Sequence, residues 1–86
     1  MNYKIPVEFI IQTENEIKQE ELDKYDRTIQ KLFPPWELER AKAANASIVL
    51  TITKGMRYYA EANSNDKEVT DMIEVRLRRL VYLLGV

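Results

Sequence analysis

The hydrophobic pattern of this 86-residue chain predicts an α+β domain, a three-stranded sheet with helices packed on one face. Three observations lead there. The chain opens on alternating apolar residues, carries apolar stripes at helical spacing before residue 34 and after residue 66, and places a hairpin pattern between them. The predicted order is strand, helix, short helix, strand, strand, helix (β-α-α-β-β-α), in one domain covering residues 1–86.

The first strand rests on Tyr3, Ile5, Val7, Phe9 and Ile11, which alternate with Lys4, Pro6, Glu8, Ile10 and Gln12. Pro6 has no N–H to give to a ladder, so this strand belongs at the sheet edge. Thr13 and Glu16 have the spacing of a capping box and predict a helix start there. The following helix shows Leu22, Tyr25, Ile29, Leu32 and Phe33 on one side and Glu20, Asp23, Lys24, Arg27 and Lys31 on the other. Pro34 ends it, because the residue before a proline avoids the helical region. Pro35 then suits the first turn of a short, alanine-rich helix over residues 36–44, with Glu37 and Glu39 near its positive end.

Residues 47–62 read as a β-hairpin turning at Lys54 and Gly55. A three-residue loop with Gly55 left-handed pairs Ile52 with Met56, Leu50 with Tyr58 and Ile48 with Ala60. That register makes one face apolar and turns Thr51, Thr53, Arg57, Tyr59 and Glu61 outward; a slip by one residue would exchange the faces. The last helix follows Ser64, with Asn65 and Glu68 at capping distance. Its core stripe is Val69, Met72, Ile73, Leu77, Leu80, Leu83 and Leu84, and Gly85 is a natural stop. The sheet is antiparallel or mixed, and a split βαβ arrangement without its last strand is compatible with this order.

Composition narrows function. The chain has no histidine and no cysteine, which removes the commonest general base, thiol chemistry and disulfides. No cofactor motif and no metal-ligand spacing is present. Two glycines cannot build a phosphate-cradling loop. Carboxylates such as Glu20 with Glu21 are helix neighbours that point apart, so they do not form an acid–base pair. The formal net charge of −1 lacks the basic excess usual for nucleic-acid binders. No charged-then-apolar leader opens the sequence, and no apolar run approaches the roughly 20 residues that span a bilayer. The expected location is the cytoplasm, with no membrane contact.

The run Lys54, Gly55, Met56, Arg57, Tyr58, Tyr59 resembles the basic-glycine-aromatic run of RNA-recognition motifs. It departs from them at Met56, where an aromatic is expected, at Arg57, where a small residue is expected, and in lacking a final strand. No family membership follows. A second basic group is denser: Arg76, Arg78 and Arg79 lie within one turn, with Arg57 and Lys54 on the hairpin. These five residues define a nucleic-acid-binding alternative, set against simple ion pairing with Asp71 and Glu74.

On a helical wheel Asp71, Val75, Arg78, Arg79 and Tyr82 fall together, away from the leucine stripe. Aromatic, aliphatic and arginine side chains in one patch match interface composition. Arg57 and Tyr59 on the outward hairpin face extend that candidate surface, with Val49 beside Tyr59. Arg76 lies within the apolar arc of the same helix. It either snorkels to the edge or meets a carboxylate across a homodimer interface. Phe33, Pro34, Pro35 and Trp36 read as a helix break whose two aromatics plug the core. Together these features predict a small non-catalytic binding protein that acts on a protein partner as inhibitor, adaptor or regulatory subunit, of a size suited to a bacterial or phage accessory protein.

Overall fold

The computed structural model describes residues 3–84, apart from the side chains of Met56 and residues 81–84. Strand β1 (Val7–Ile11) leads into helix α1 (Gln19–Lys31), helix α2 (Pro35–Ala43), the hairpin strands β2 (Ser47–Thr53) and β3 (Arg57–Asn63), and helix α3 (Lys67–Leu84). The arrangement is α+β, as the sequence predicts. The sheet is mixed, in the order β1-β2-β3, with β1 parallel and β3 antiparallel to the central strand. No strand separates β1 from β2, so the βαβ unit is not split.

β1 forms the sheet edge, and Pro6 stands just before its first residue, at the start of the ladder, where a missing N–H is tolerated. The Pro6 carbonyl accepts from the Ile48 N–H at 2.9 Å. Gln30 of α1 completes the entry to the strand. Its amide accepts from the Ile5 N–H at 2.9 Å and donates to the Ile5 carbonyl at 2.7 Å. A side chain thus imitates a neighbouring strand and holds α1 to β1.

Helix α1 starts six residues beyond Thr13, so the expected capping box is not formed. Thr13 Oγ1 instead accepts from the Asn15 N–H at 3.3 Å, a local turn that competes with helix nucleation. Lys18 stands at the N-cap without a side-chain cap. Pro35 occupies the first turn of α2 as expected. That helix ends on Asn45, whose φ is 51°. The Asn45 N–H reaches the Lys42 carbonyl at 3.1 Å and the Ala46 N–H reaches the Ala41 carbonyl at 2.9 Å. These two bonds form a Schellman motif. At α3 the capping residue is Asp66, one place beyond Asn65; its Oδ1 accepts from the Glu68 N–H at 2.9 Å.

All three helices cover one face. Ile48, Leu50 and Ala62 of the sheet join Ile29, Phe33, Ala41, Ala44, Val69, Ile73, Leu77 and Leu80 in a single buried cluster. Trp36 departs from expectation: Phe33 is buried, but Trp36 is 68% exposed. With Pro35 fixed in the first turn, α2 buries Glu37 and Ala41, one helical turn apart, and Trp36 falls outside that stripe.

The hairpin keeps the predicted faces and changes the pairing. Ile52 faces Tyr58, Leu50 faces Ala60 and Ile48 faces Ala62. The loop has the expected three residues, but they are Lys54–Met56 and not 53–55. Moving the loop by one shifts every pair by two, which leaves inward and outward residues unchanged. Gly55 is left-handed at φ 76°. A Cβ there would meet nothing within 4 Å, so Gly55→Ala costs only the backbone term, about 1 kcal/mol in urea unfolding.

Tyr58 packs edge-on against Tyr25 of α1, with ring centroids 5.7 Å apart and the hydroxyls 3.1 Å apart. Partial burial first, and then the Tyr25 hydrogen bond, push the Tyr58 phenol up to about 12. The folded protein therefore holds this proton after the unfolded chain has lost it. Its stabilising contribution is complete below pH 10 and is lost as pH rises to about 12. Denaturant midpoints measured across that window should fall for the wild type, and Tyr58→Phe should flatten the decline.

Candidate functional site

Arg76 finds its carboxylate within its own chain. Arg76 Nε donates to Glu37 Oε1 at 3.1 Å and Nη2 donates to Oε2 at 2.9 Å, a forked pair joining α3 to α2. Glu37 is the buried charged residue of the core rim, with a relative exposure of 9%. The hydrogen bonds to Glu37, and then its charge, raise the Arg76 pKa, against a smaller opposing effect of burial. Arg76 is thereby withdrawn from the basic cluster, and of its two alternatives, snorkelling or a carboxylate across a dimer, neither is needed. Sequence reasoning missed Glu37. Its signal was the spacing with Ala41 and Ala44, which puts a carboxylate on the inner stripe of an alanine-rich helix.

The predicted partner-binding residues do not form one surface. Asp71, Val75, Arg78 and Arg79 lie exposed on α3, Val75 at 59%. The Tyr82 side chain lies outside the described residues. None of Asp71, Glu74, Arg78 or Arg79 makes an ion pair among the described residues. Arg78 borders a groove between α3 and β3 that it shares with Ala60, Glu61 and Glu74. Arg57 and Tyr59 project from the other face of the sheet, because α3 packs on the side of Ala60 and Ala62. Lys54 lies at the hairpin tip, in a shallow depression with Gln12, Thr53, Arg57 and Tyr59. The basic residues of the nucleic-acid alternative are therefore divided: Lys54 and Arg57 at the hairpin, Arg78 and Arg79 on the helical layer, and Arg76 paired.

The face of the sheet opposite the helices has no cover within the described residues. Strand registers order its side chains in rows. Ile10, Thr51 and Tyr59 stand side by side across all three strands. Glu8, Val49 and Glu61 form the row on one side. On the other side Thr53 faces Arg57, and Gln12 lies beside them through its N–H to the Ile52 carbonyl at 2.7 Å. Ile10 is 40% and Tyr59 55% exposed. Val49 stands opposite Glu61, so its expected pairing with Tyr59 is diagonal, not direct.

Ile10 was absent from the sequence-derived site, although its signal was present. Residues 9–11 of β1 are all apolar, and β2 holds Ile48, Val49 and Leu50 in succession. Strands of a parallel pair with apolar residues on both sides are normally covered on both faces.

Among the described residues no three acidic or other ligating side chains converge on a metal position, and no helix is long and apolar enough to cross a membrane. No protein-family model, curated protein or solved structure matches the chain.

The Arg76–Glu37 pair generates a stability prediction. Arg76→Met leaves a carboxylate at the core rim without its donor, and Glu37→Met leaves the guanidinium without its acceptor. Each single variant should unfold at lower temperature than the wild type, while the double variant recovers part of the loss. Thermal unfolding of the four proteins followed by circular dichroism checks this.

Proposed function

We propose that this chain is a small non-catalytic protein of the cytoplasm that binds a protein partner stoichiometrically, as an inhibitor, adaptor or regulatory subunit. The observation behind this reading is the apolar row on the open sheet face. Ile10 and Tyr59 are exposed on either side of Thr51, with Val49 in the adjacent row, at the centre of a sheet whose parallel pair has apolar residues on both sides. Tyrosine and arginine beside aliphatic side chains is the composition of a contact surface. The exposed residues of α3 form a second, smaller patch around Val75. Division of the basic side chains between two surfaces disfavours a nucleic-acid stripe, which needs them aligned along a backbone.

Affinity capture from nuclease-treated lysate, with Ile10→Asp/Tyr59→Asp as the control bait, tests the reading. The wild type should retain a stoichiometric polypeptide, whether another protein or an untagged copy of this chain. The double variant should lose it by about tenfold or more, the effect of removing central contact side chains. Thermal unfolding establishes that the variant is folded. Equal capture by a folded double variant refutes the sheet face as the binding surface, and retention abolished by nuclease alone shifts the reading to nucleic acid.

A further inference from the structure

The open sheet face bears charge in a pattern that matches itself. Its four corners are Gln12, Arg57, Glu61 and Glu8. Gln12 and Arg57 flank one end of the row Ile10, Thr51, Tyr59, and Glu8 and Glu61 flank the other. Arg57 and Glu61 lie on the same strand, each two residues from Tyr59, so each is about 7 Å from the row. Neither forms an ion pair among the described residues, and Glu61, at the β3 edge, also borders the groove that holds Arg78 and Glu74.

We propose that this face takes a second copy of the same chain. The two sheets stack with their strands antiparallel, about a two-fold axis running along the row Ile10, Thr51, Tyr59. This rests on the reading of the face as a protein-binding surface and names its occupant.

Charge selects that axis over the alternatives. Two stacked sheets related by a two-fold must have the axis in the plane between them, and self-complementarity requires each group to meet its counterpart in the other copy. An axis along the row lays Arg57 over Glu61 of the other copy, twice, and Gln12 over Glu8, whose carboxylate can accept from the amide. An axis along the strands lays Glu8 over Glu61. Either diagonal lays a charged corner on its own copy: Arg57 on Arg57 and Glu8 on Glu8, or Glu61 on Glu61. Only the row axis brings no like charges together, and it stacks Ile10 on Ile10 and Tyr59 on Tyr59.

Face-to-face sheets sit about 10 Å apart, a gap that an arginine and a glutamate span from opposite sides. A three-stranded face of this length is at the small end of specific interfaces, so the dimer should dissociate in the micromolar range. Pairing in this way leaves the helical layers outward, and the α3 patch around Val75 is presented twice.

Analytical ultracentrifugation of wild type, Arg57→Glu, Glu61→Arg and an equimolar mixture of the two variants tests the proposal. The wild type should be a dimer at about 100 µM, well above a micromolar dissociation constant. Each single variant should dimerise about tenfold or more weakly, because both cross-copy pairs become repulsive. The mixture should regain dimer, since the acidic copy supplies two glutamates on β3 where the basic copy supplies two arginines. A monomeric wild type at that concentration overturns the inference, as does a mixture of folded variants that stays monomeric. In either case, capture of another protein that still depends on Ile10 and Tyr59 leaves the binding reading standing.

Discussion

Strand β2 is the constraint on which the other elements depend. It is paired on both sides, parallel to β1 and antiparallel to β3, so its backbone hydrogen bonds are committed along both edges. Its inward residues Ile48, Leu50 and Ile52 are fully excluded from water. Burying three branched aliphatic side chains from one strand supplies several kcal/mol of hydrophobic stabilisation, at about 1.5–3 kcal/mol each. The helices have to cover that face, and small residues at Ala41, Ala44, Ala60 and Ala62 let them approach it closely. With no disulfide available, this packing carries the cohesion of the fold.

Helices pressed onto a sheet must still be fixed in place, and here polar groups do it. Gln30 ties α1 to the entry of β1 by taking over backbone bonds that a fourth strand would otherwise make. The Arg76–Glu37 fork ties α3 to α2 at the rim of the core. Such pairs contribute less through net attraction than through the cost of leaving either partner alone. They define which helix faces meet. Among the described residues no buried side-chain nitrogen or oxygen is left without a hydrogen bond.

Among the described residues the helices cover one face of the sheet and leave the other open, and that division organises the surface. The helical side shows mostly charged residues around Val75. The sheet side shows an ordered grid with Ile10 and Tyr59 flanking Thr51 in its middle row, a basic corner and two acidic corners. A partner of the kind proposed would meet that grid through shape and charge register.

Much of the architecture was legible in sequence because its signals are local. Alternation marks β1, helical spacing marks α1 and α3, Pro34 and Pro35 mark the break between helices, and Gly55 marks the turn. These depend on backbone sterics and on the period of each element, so a few neighbouring residues suffice to determine them. Strand order, the start of α1, the exact hairpin pairing and the exposure of Trp36 were decided by tertiary structure. Each depends on what a segment meets elsewhere: Thr13 closes a local turn, the loop moves by one residue without exchanging faces, and α2 orients so that Glu37 reaches Arg76. The candidate site divides in the same way. Sequence alone identified Arg57 and Tyr59 as outward-facing, but joining them to Ile10 needed the parallel pairing of β1 with β2. It also assigned Arg76 to a surface cluster that a carboxylate 39 positions away dissolves. Periodicity tells a residue which side of its own element it occupies; only packing tells it which residues lie across from it.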